Sequence, residues 1–236
     1  MPADETIHVT APRRIAILGT GDAATGNAQT PAPILDAAGT GFAPELVDVP
    51  GAVFPATPTA REQSAHAYVA AGLAAERAGY DALYINTVGD YGLKALREAA
   101  QVPVTGSGEG AIRQAGKQAF AIVTIWPPAL RFIYDHVLTD TGARDRCRGI
   151  HHLSQDHDLD TLGEPHDFVQ EMQSCSLTSM ARIEAACRVA LEQEGAELIV
   201  LGCTCMQPVA AILQGEGMPV IEPMVSGYRH VEFLLA

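Results

Sequence analysis

Short apolar runs alternate along this chain with segments whose apolar residues recur every three to four positions. The runs Arg14–Leu18, Leu46–Val49, Ala82–Ile85, Val102–Thr105, Ala119–Val123, Leu198–Leu201 and Val220–Ile221 have the length and composition of strands. Most are apolar throughout, as strands covered on both faces should be. Met180, Ile183, Cys187 and Leu191 fall on one face of a helix, and Ser64–Arg77, Leu130–Leu138 and Val225–Leu235 also read as helical. Strands alternating with helices predict an α/β fold with a mainly parallel sheet.

The pattern repeats. Ala82-Leu-Tyr-Ile-Asn-Thr87-Val-Gly-Asp runs on to Val102-Pro103-Val104, and Leu198-Ile-Val-Leu-Gly-Cys203-Thr-Cys-Met runs on to Met218-Pro219-Val220. One offset, 116, relates them without a gap (203 minus 87, 219 minus 103). Two pseudo-symmetric lobes are therefore expected, each a mainly parallel sheet flanked by helices. Residues 13–105 plus 221–236 form the first and 106–220 the second, after a disordered N-terminus over 1–12. The Gly/Pro/Ala-rich stretch Ala24–Thr59 should be loop-rich around its strand, and His151–Asp167 irregular.

Composition narrows the function. The 236 residues are 47% hydrophobic and 18% charged, an ordinary globular balance. A net charge of −13 without a Lys/Arg cluster argues against binding nucleic acid. No apolar run approaches the ~20 residues that span a bilayer, and the polar start is not a signal peptide. The five cysteines, at 147, 175, 187, 203 and 205, form no paired CxxC motifs and no disulfide framework, so a cytoplasmic setting is expected.

Cys203 follows an apolar strand and precedes a helix, at the sheet edge where parallel α/β proteins bind ligands. A thiol there is biased toward thiolate by the helix dipole, which suits a general base or acid. Cys187, on an apolar helical face, reads as core instead.

The segments Thr87-Val-Gly-Asp-Tyr-Gly-Leu, Pro103-Val-Thr-Gly-Ser-Gly-Glu-Gly-Ala, Leu201-Gly-Cys-Thr-Cys-Met and Pro219-Val-Ile-Glu-Pro resemble those of the aspartate/glutamate/hydantoin racemase superfamily, most closely its hydantoin racemase branch. The resemblance implies an active site in the cleft between the two lobes, two cysteines flanking a substrate carbon, no cofactor, a small anionic or carbonyl substrate, and a homo-oligomer; no metal is expected. Cys203 matches the second cysteine and Thr87 stands at the first. A rival register would put Ile85 there, but the repeat pairs Thr87 with Cys203. A Thr hydroxyl is too weak an acid to supply a base near neutral pH. Thr87 would hydrogen-bond an enolate, relay a proton, or borrow Asp90 or Asp22 as base.

Backbone N–H groups at Val88, Gly89, Thr204 and Cys205 are candidate oxyanion donors, and Gly106-Ser107-Gly108 is a further anion-binding turn. Thr124, just past a strand, should point into the cleft. The loop Gly19-Thr20-Gly21-Asp22-Ala23-Ala24 loosely fits a dinucleotide fingerprint, but Pro31 and Pro33 argue against the helix that motif needs. The resemblance places Thr20, Gly21 and Asp22 in the substrate cleft instead.

The expected activity is cofactor-independent racemisation or epimerisation at a carbon next to a carboxylate or amide carbonyl. The alternative is decarboxylation of a substituted malonate, in which one Cys protonates an enolate. A competing metal site would use His151, His152, Asp156, His157, Asp158, Asp160, His166 and Asp167, although their spacing matches no familiar motif.

Overall fold

In the computed structural model, which describes residues 11–19, 29–156 and 175–236, the apolar runs assemble into two four-stranded parallel sheets. The first has strands β1 (Arg13–Gly19), β2 (Phe42–Asp48), β3 (Ala82–Ile85) and β4 (Val104–Gly106), ordered β2-β1-β3-β4. The second has β5 (Phe120–Thr124), β6 (Cys147–His152), β7 (Leu198–Leu201) and β8 (Val220–Ile221), ordered β6-β5-β7-β8. Eight helices accompany them among the described residues: α1 (Ala32–Ala37), α2 (Pro58–Arg77), α3 (Leu93–Ala99), α4 (Ser107–Gln114), α5 (Arg131–Asp140), α6 (Leu177–Gln193), α7 (Gln207–Gly215) and α8 (Pro223–Leu235).

The two halves match closely. The 116-residue offset carries β3 onto β7 end for end, the last residue of α3 onto that of α7, and the first residue of α4 onto that of α8. β3 pairs with β1 through Leu18 and Ile85, and β7 pairs with β5 through Val123 and Leu201.

Alternation along each central strand covers both faces. Ala16, Leu18, Leu83 and Ile85 pack on Tyr68 of α2 and Leu96 of α3, while Ile15, Ile17, Ala82 and Tyr84 face Tyr228 and Val231 of α8. In the second sheet Val123, Ile199 and Leu201 meet Ile183, Cys187 and Ala190 of α6, and Phe120, Ile122 and Val200 meet Ile112 and Val137. Cys187 is fully buried, and burial pushes its thiol up to about 12, which fits a core role.

Departures from the sequence reading fall mostly at the edges. β6, Cys-Arg-Gly-Ile-His-His, is too polar to announce a strand, and as an edge strand it stays partly exposed. β2 begins four residues earlier than its apolar core and tolerates Pro44 because it too is an edge. The short helix α1 interrupts the stretch expected to be loop-rich. Its Pro33 sits in the first turn, where no intrahelical N–H bond is lost. Among the described residues, no helix is long and apolar enough to cross a membrane.

Helices α4 and α8 join the two sheets. A methyl group on Gly110 would lie 2.4 Å from the α-carbon of Gly227, and one on Gly227 would lie 2.7 Å from the α-carbon of Ser107. At Gly110 backbone meets only backbone, with no flexible side chain to yield. Gly110→Ala is therefore expected to destabilise the protein by about 1–3 kcal/mol. A urea midpoint unchanged from wild type would show that the crossing is looser than this.

Candidate active site

Strands β3 and β7 end at a common cavity of about 720 Å³, whose wall includes Thr87, Val88 and Gly89 on one side and Cys203, Thr204 and Cys205 on the other. Thr87 lies two residues past β3, and Cys203 lies two past β7. The parallel ladders carry both chain ends to the same edge of their sheets.

Cys203 is extended (φ −148°, ψ 139°) and opens a tight turn, Thr204–Met206, that leads into α7. Its Sγ accepts the Cys205 N–H at 3.2 Å. The turn also brings the Cys205 side chain over it, and the two are joined as a disulfide across a Cα–Cα distance of 5.2 Å. This corrects the expectation of five unpaired cysteines: Cys147, Cys175 and Cys187 are free, but Cys203 and Cys205 are paired. In the disulfide form Cys203 can neither take nor give a proton.

The loop carrying Cys203 is held from behind. Tyr134 donates its hydroxyl hydrogen to the Gly202 carbonyl at 2.9 Å, so Thr124 Oγ1 must donate to Tyr134 in turn. The Trp126 N–H completes the set by donating to Thr124 Oγ1 at 3.2 Å. Gly202 must lack a side chain, because a methyl there would lie 2.5 Å from Thr124 Cβ. Thr124 is fully buried and spends its hydroxyl on this network. It positions the cysteine loop and does not reach into the cleft as expected.

Thr87 is half-buried, and its Oγ1 is sealed from solvent without a hydrogen-bond partner. Val88 and Gly89 line the cavity, and their amides donate to no protein group among the described residues, which leaves them available to an oxyanion.

Asp90 is engaged elsewhere. At φ 45° it turns its carboxylate onto the start of α4, accepting the Gly108 N–H at 3.0 Å and the Glu109 N–H at 2.6 Å. It is not part of the cavity wall, so the structure does not bring it to Thr87 as a helper. Burial raises its pKa well above the usual carboxylate range, against the pull of the two amides. The Gly106-Ser107-Gly108 turn, read as a site for a bound anion, is filled by this carboxylate. The offset places an equivalent at α8, where Glu222 accepts the Met224 and Val225 amides, each at 2.8 Å. Glu109 is also structural: burial would raise its carboxyl, but Arg113 and Arg97 hold it below the usual range.

Among the described residues, the cavity wall carries no Asp, Glu, Lys, Arg or His. Its polar groups are neutral, and aromatic rings supply much of the rest, with Phe54 and Trp126 tilted together at 5.1 Å between centroids. Phe54, Tyr68, Tyr91, Trp126 and Tyr134 were not among the residues expected at the site. Tyr91 and Trp126 had a usable signal, since each follows within a few residues of a strand's carboxyl end.

Thr20, Gly21 and Asp22 lie outside the described residues. So do His157, Asp158, Asp160, His166 and Asp167 of the candidate metal cluster. The described members of that cluster are engaged separately: His151 with Glu194, His152 Nδ1 with the Trp126 carbonyl, and Asp156 with the Ala129 N–H.

The Asp/Glu/hydantoin racemase family model matches residues 35–231, and the chain belongs to that family. It is 33% identical over 159 residues to a hydantoin racemase of Paenarthrobacter aurescens, a match covering 66% of this chain and 62% of that protein. Its fold superposes on allantoin racemase from Klebsiella pneumoniae with a TM-score of 0.74 at 25% identity, covering 94% of this chain and 87% of the other. It shares its fold more distantly with arylmalonate decarboxylase (TM-score 0.58, 13% identity, 94% and 92% covered).

Tyr134→Phe tests the support of the cysteine loop. It removes the donor to Gly202 and leaves Thr124 without its acceptor, at an expected cost of about 1–3 kcal/mol in denaturation. A variant as stable as wild type would show that the network holds nothing in place.

Proposed function

We propose that the protein is a cofactor-independent racemase acting at the acidic ring carbon of a hydantoin-class cyclic ureide. The observation that carries the reading is the convergence of Thr87 and Cys203, equivalent positions of the repeat, on one cavity whose wall carries no charged side chain among the described residues. A neutral ring needs no salt-bridge partner, whereas an aspartate or glutamate side chain would be poorly served by such a wall. The hydantoin racemase similarity points to the same substrate class.

In the reduced form, the Cys203 thiolate removes the proton at the carbon flanked by the ring carbonyl and nitrogen. The electron pair moves into the carbonyl as an enolate, with the oxygen facing the Val88 and Gly89 amides. The resulting thiol then returns a proton to the planar carbon. The Thr87 hydroxyl, sealed from solvent and too weak an acid, cannot act as a base. Net inversion follows when the planar anion presents its other face to Cys203 before reprotonation.

A second reading is favoured by the same asymmetry. A site with a thiol on one side only also suits protonation of an enolate left by loss of carbon dioxide from a substituted malonate.

Polarimetry with an enantiopure 5-substituted hydantoin separates the two readings, with substituted malonates run in parallel. In reductant, loss of rotation is expected, and Cys203→Ser should slow it by about a thousandfold. Carbon dioxide release from malonates without hydantoin racemisation would establish the second reading instead. Because the disulfide occupies the base, wild-type activity should require a thiol reductant, whereas Cys205→Ser should be active without one. Equal activity of wild type with and without reductant would contradict the role given to Cys203.

A further inference from the structure

The first half of the repeat lacks a thiol, yet its wall holds another polar group. Tyr91 is 8% exposed and lines the same cavity as Thr87 and Cys203. Its phenol lies flat against Gly89: a methyl there would meet Cε1 at 2.3 Å, Cζ at 2.4 Å and Oη at 2.6 Å. The hydroxyl therefore sits in contact with Gly89, which itself lines the cavity. No group among the described residues hydrogen-bonds to the Tyr91 hydroxyl, and it is not sealed in protein as the Tyr228 hydroxyl is.

We infer that Tyr91 donates a hydrogen bond to the enolate oxygen of the bound substrate, beside the Val88 and Gly89 amides. The inference rests on the enolate chemistry proposed above. A buried phenol with open acceptor space in front of it is a neutral donor, and such donors strengthen as negative charge develops on the oxygen they face. Burial also pushes its ionisation far above neutral pH, so the hydrogen stays on the phenol and Tyr91 cannot replace the missing base. The half without a thiol thus becomes the oxyanion side, and the half with Cys203 the proton side. Gly89 is required for this arrangement because any side chain there would displace the ring.

Barbiturate, a cyclic ureide that is already an enolate at neutral pH, provides a probe independent of turnover. Calorimetric titration in reductant is expected to show binding to wild type, weakened on the order of 10- to 100-fold in Tyr91→Phe, which keeps the ring on Gly89 and removes only the hydroxyl. Equal affinity of the two proteins, or no binding to wild type, would overturn the inference. Hydantoin racemisation by the same variant supplies the second readout: kcat should fall on the order of 100-fold with KM nearly unchanged. A ring that matters only for packing would leave both affinity and kcat at wild-type values. If wild type binds barbiturate and Tyr91→Phe does not, while no hydantoin is racemised, the donor role stands and the proposed reaction fails.

Discussion

At the crossing of α4 and α8, backbone packs directly on backbone, and this contact fixes how the two sheets face each other. Both helices begin at buried carboxylates, Asp90 for α4 and Glu222 for α8, which accept the amides at equivalent positions of the repeat. Tyr84 ties the two starts together, with its hydroxyl bonded to Ser107 and to the Met224 carbonyl. With the helices held this way, β3 and β7 end at one cavity. The site owes its position to the repeat and its rigidity to the junction between the halves.

Within that frame the chemistry is asymmetric. The β7 end carries Cys203, a thiol once its bond to Cys205 is reduced, on a loop held by Tyr134 and Thr124. The β3 end carries Thr87, whose hydroxyl is sealed from solvent, the Tyr91 phenol, and amides with no protein partner among the described residues. The Asp90 carboxylate, which could have restored symmetry as a base, is committed to the start of α4. No ionisable group of the described wall other than the cysteines, once reduced, can exchange protons near neutral pH, because burial pushes the Tyr68, Tyr91 and Tyr134 phenols upward. The proposed reaction accordingly puts proton transfer on one side and charge stabilisation on the other.

Much of this was legible in the sequence because the determining signals are local. β3 and β7 were read to the residue, since buried central strands must be apolar on both faces, and so was β8, an edge strand whose two residues are both buried. The 116-residue offset located Thr87 opposite Cys203 before any geometry was known. The edge strands were harder, because β6 carries His and Arg on positions that water can reach. Side-chain direction was not legible at all. Asp90 and Thr124 both stand at strand ends, yet one turns to cap a helix and the other to brace a loop. The pairing of Cys203 with Cys205 depends on a tight turn that two residues' spacing does not announce. Tyr91 was quoted within a motif, but only its packing on Gly89 marks it as part of the wall.

The central claim is that a single thiol, on one face of the substrate, handles the proton. The direct test is the fate of the substrate hydrogen in deuterated water, followed by proton NMR at low conversion of one hydantoin enantiomer with the reduced enzyme. A single thiol predicts that deuterium enters the recovered starting enantiomer as well as the product, because both are reprotonated from the same group. Deuterium confined to the product, with the remaining substrate fully protiated, would mean that a second base works from the opposite face and would contradict the account.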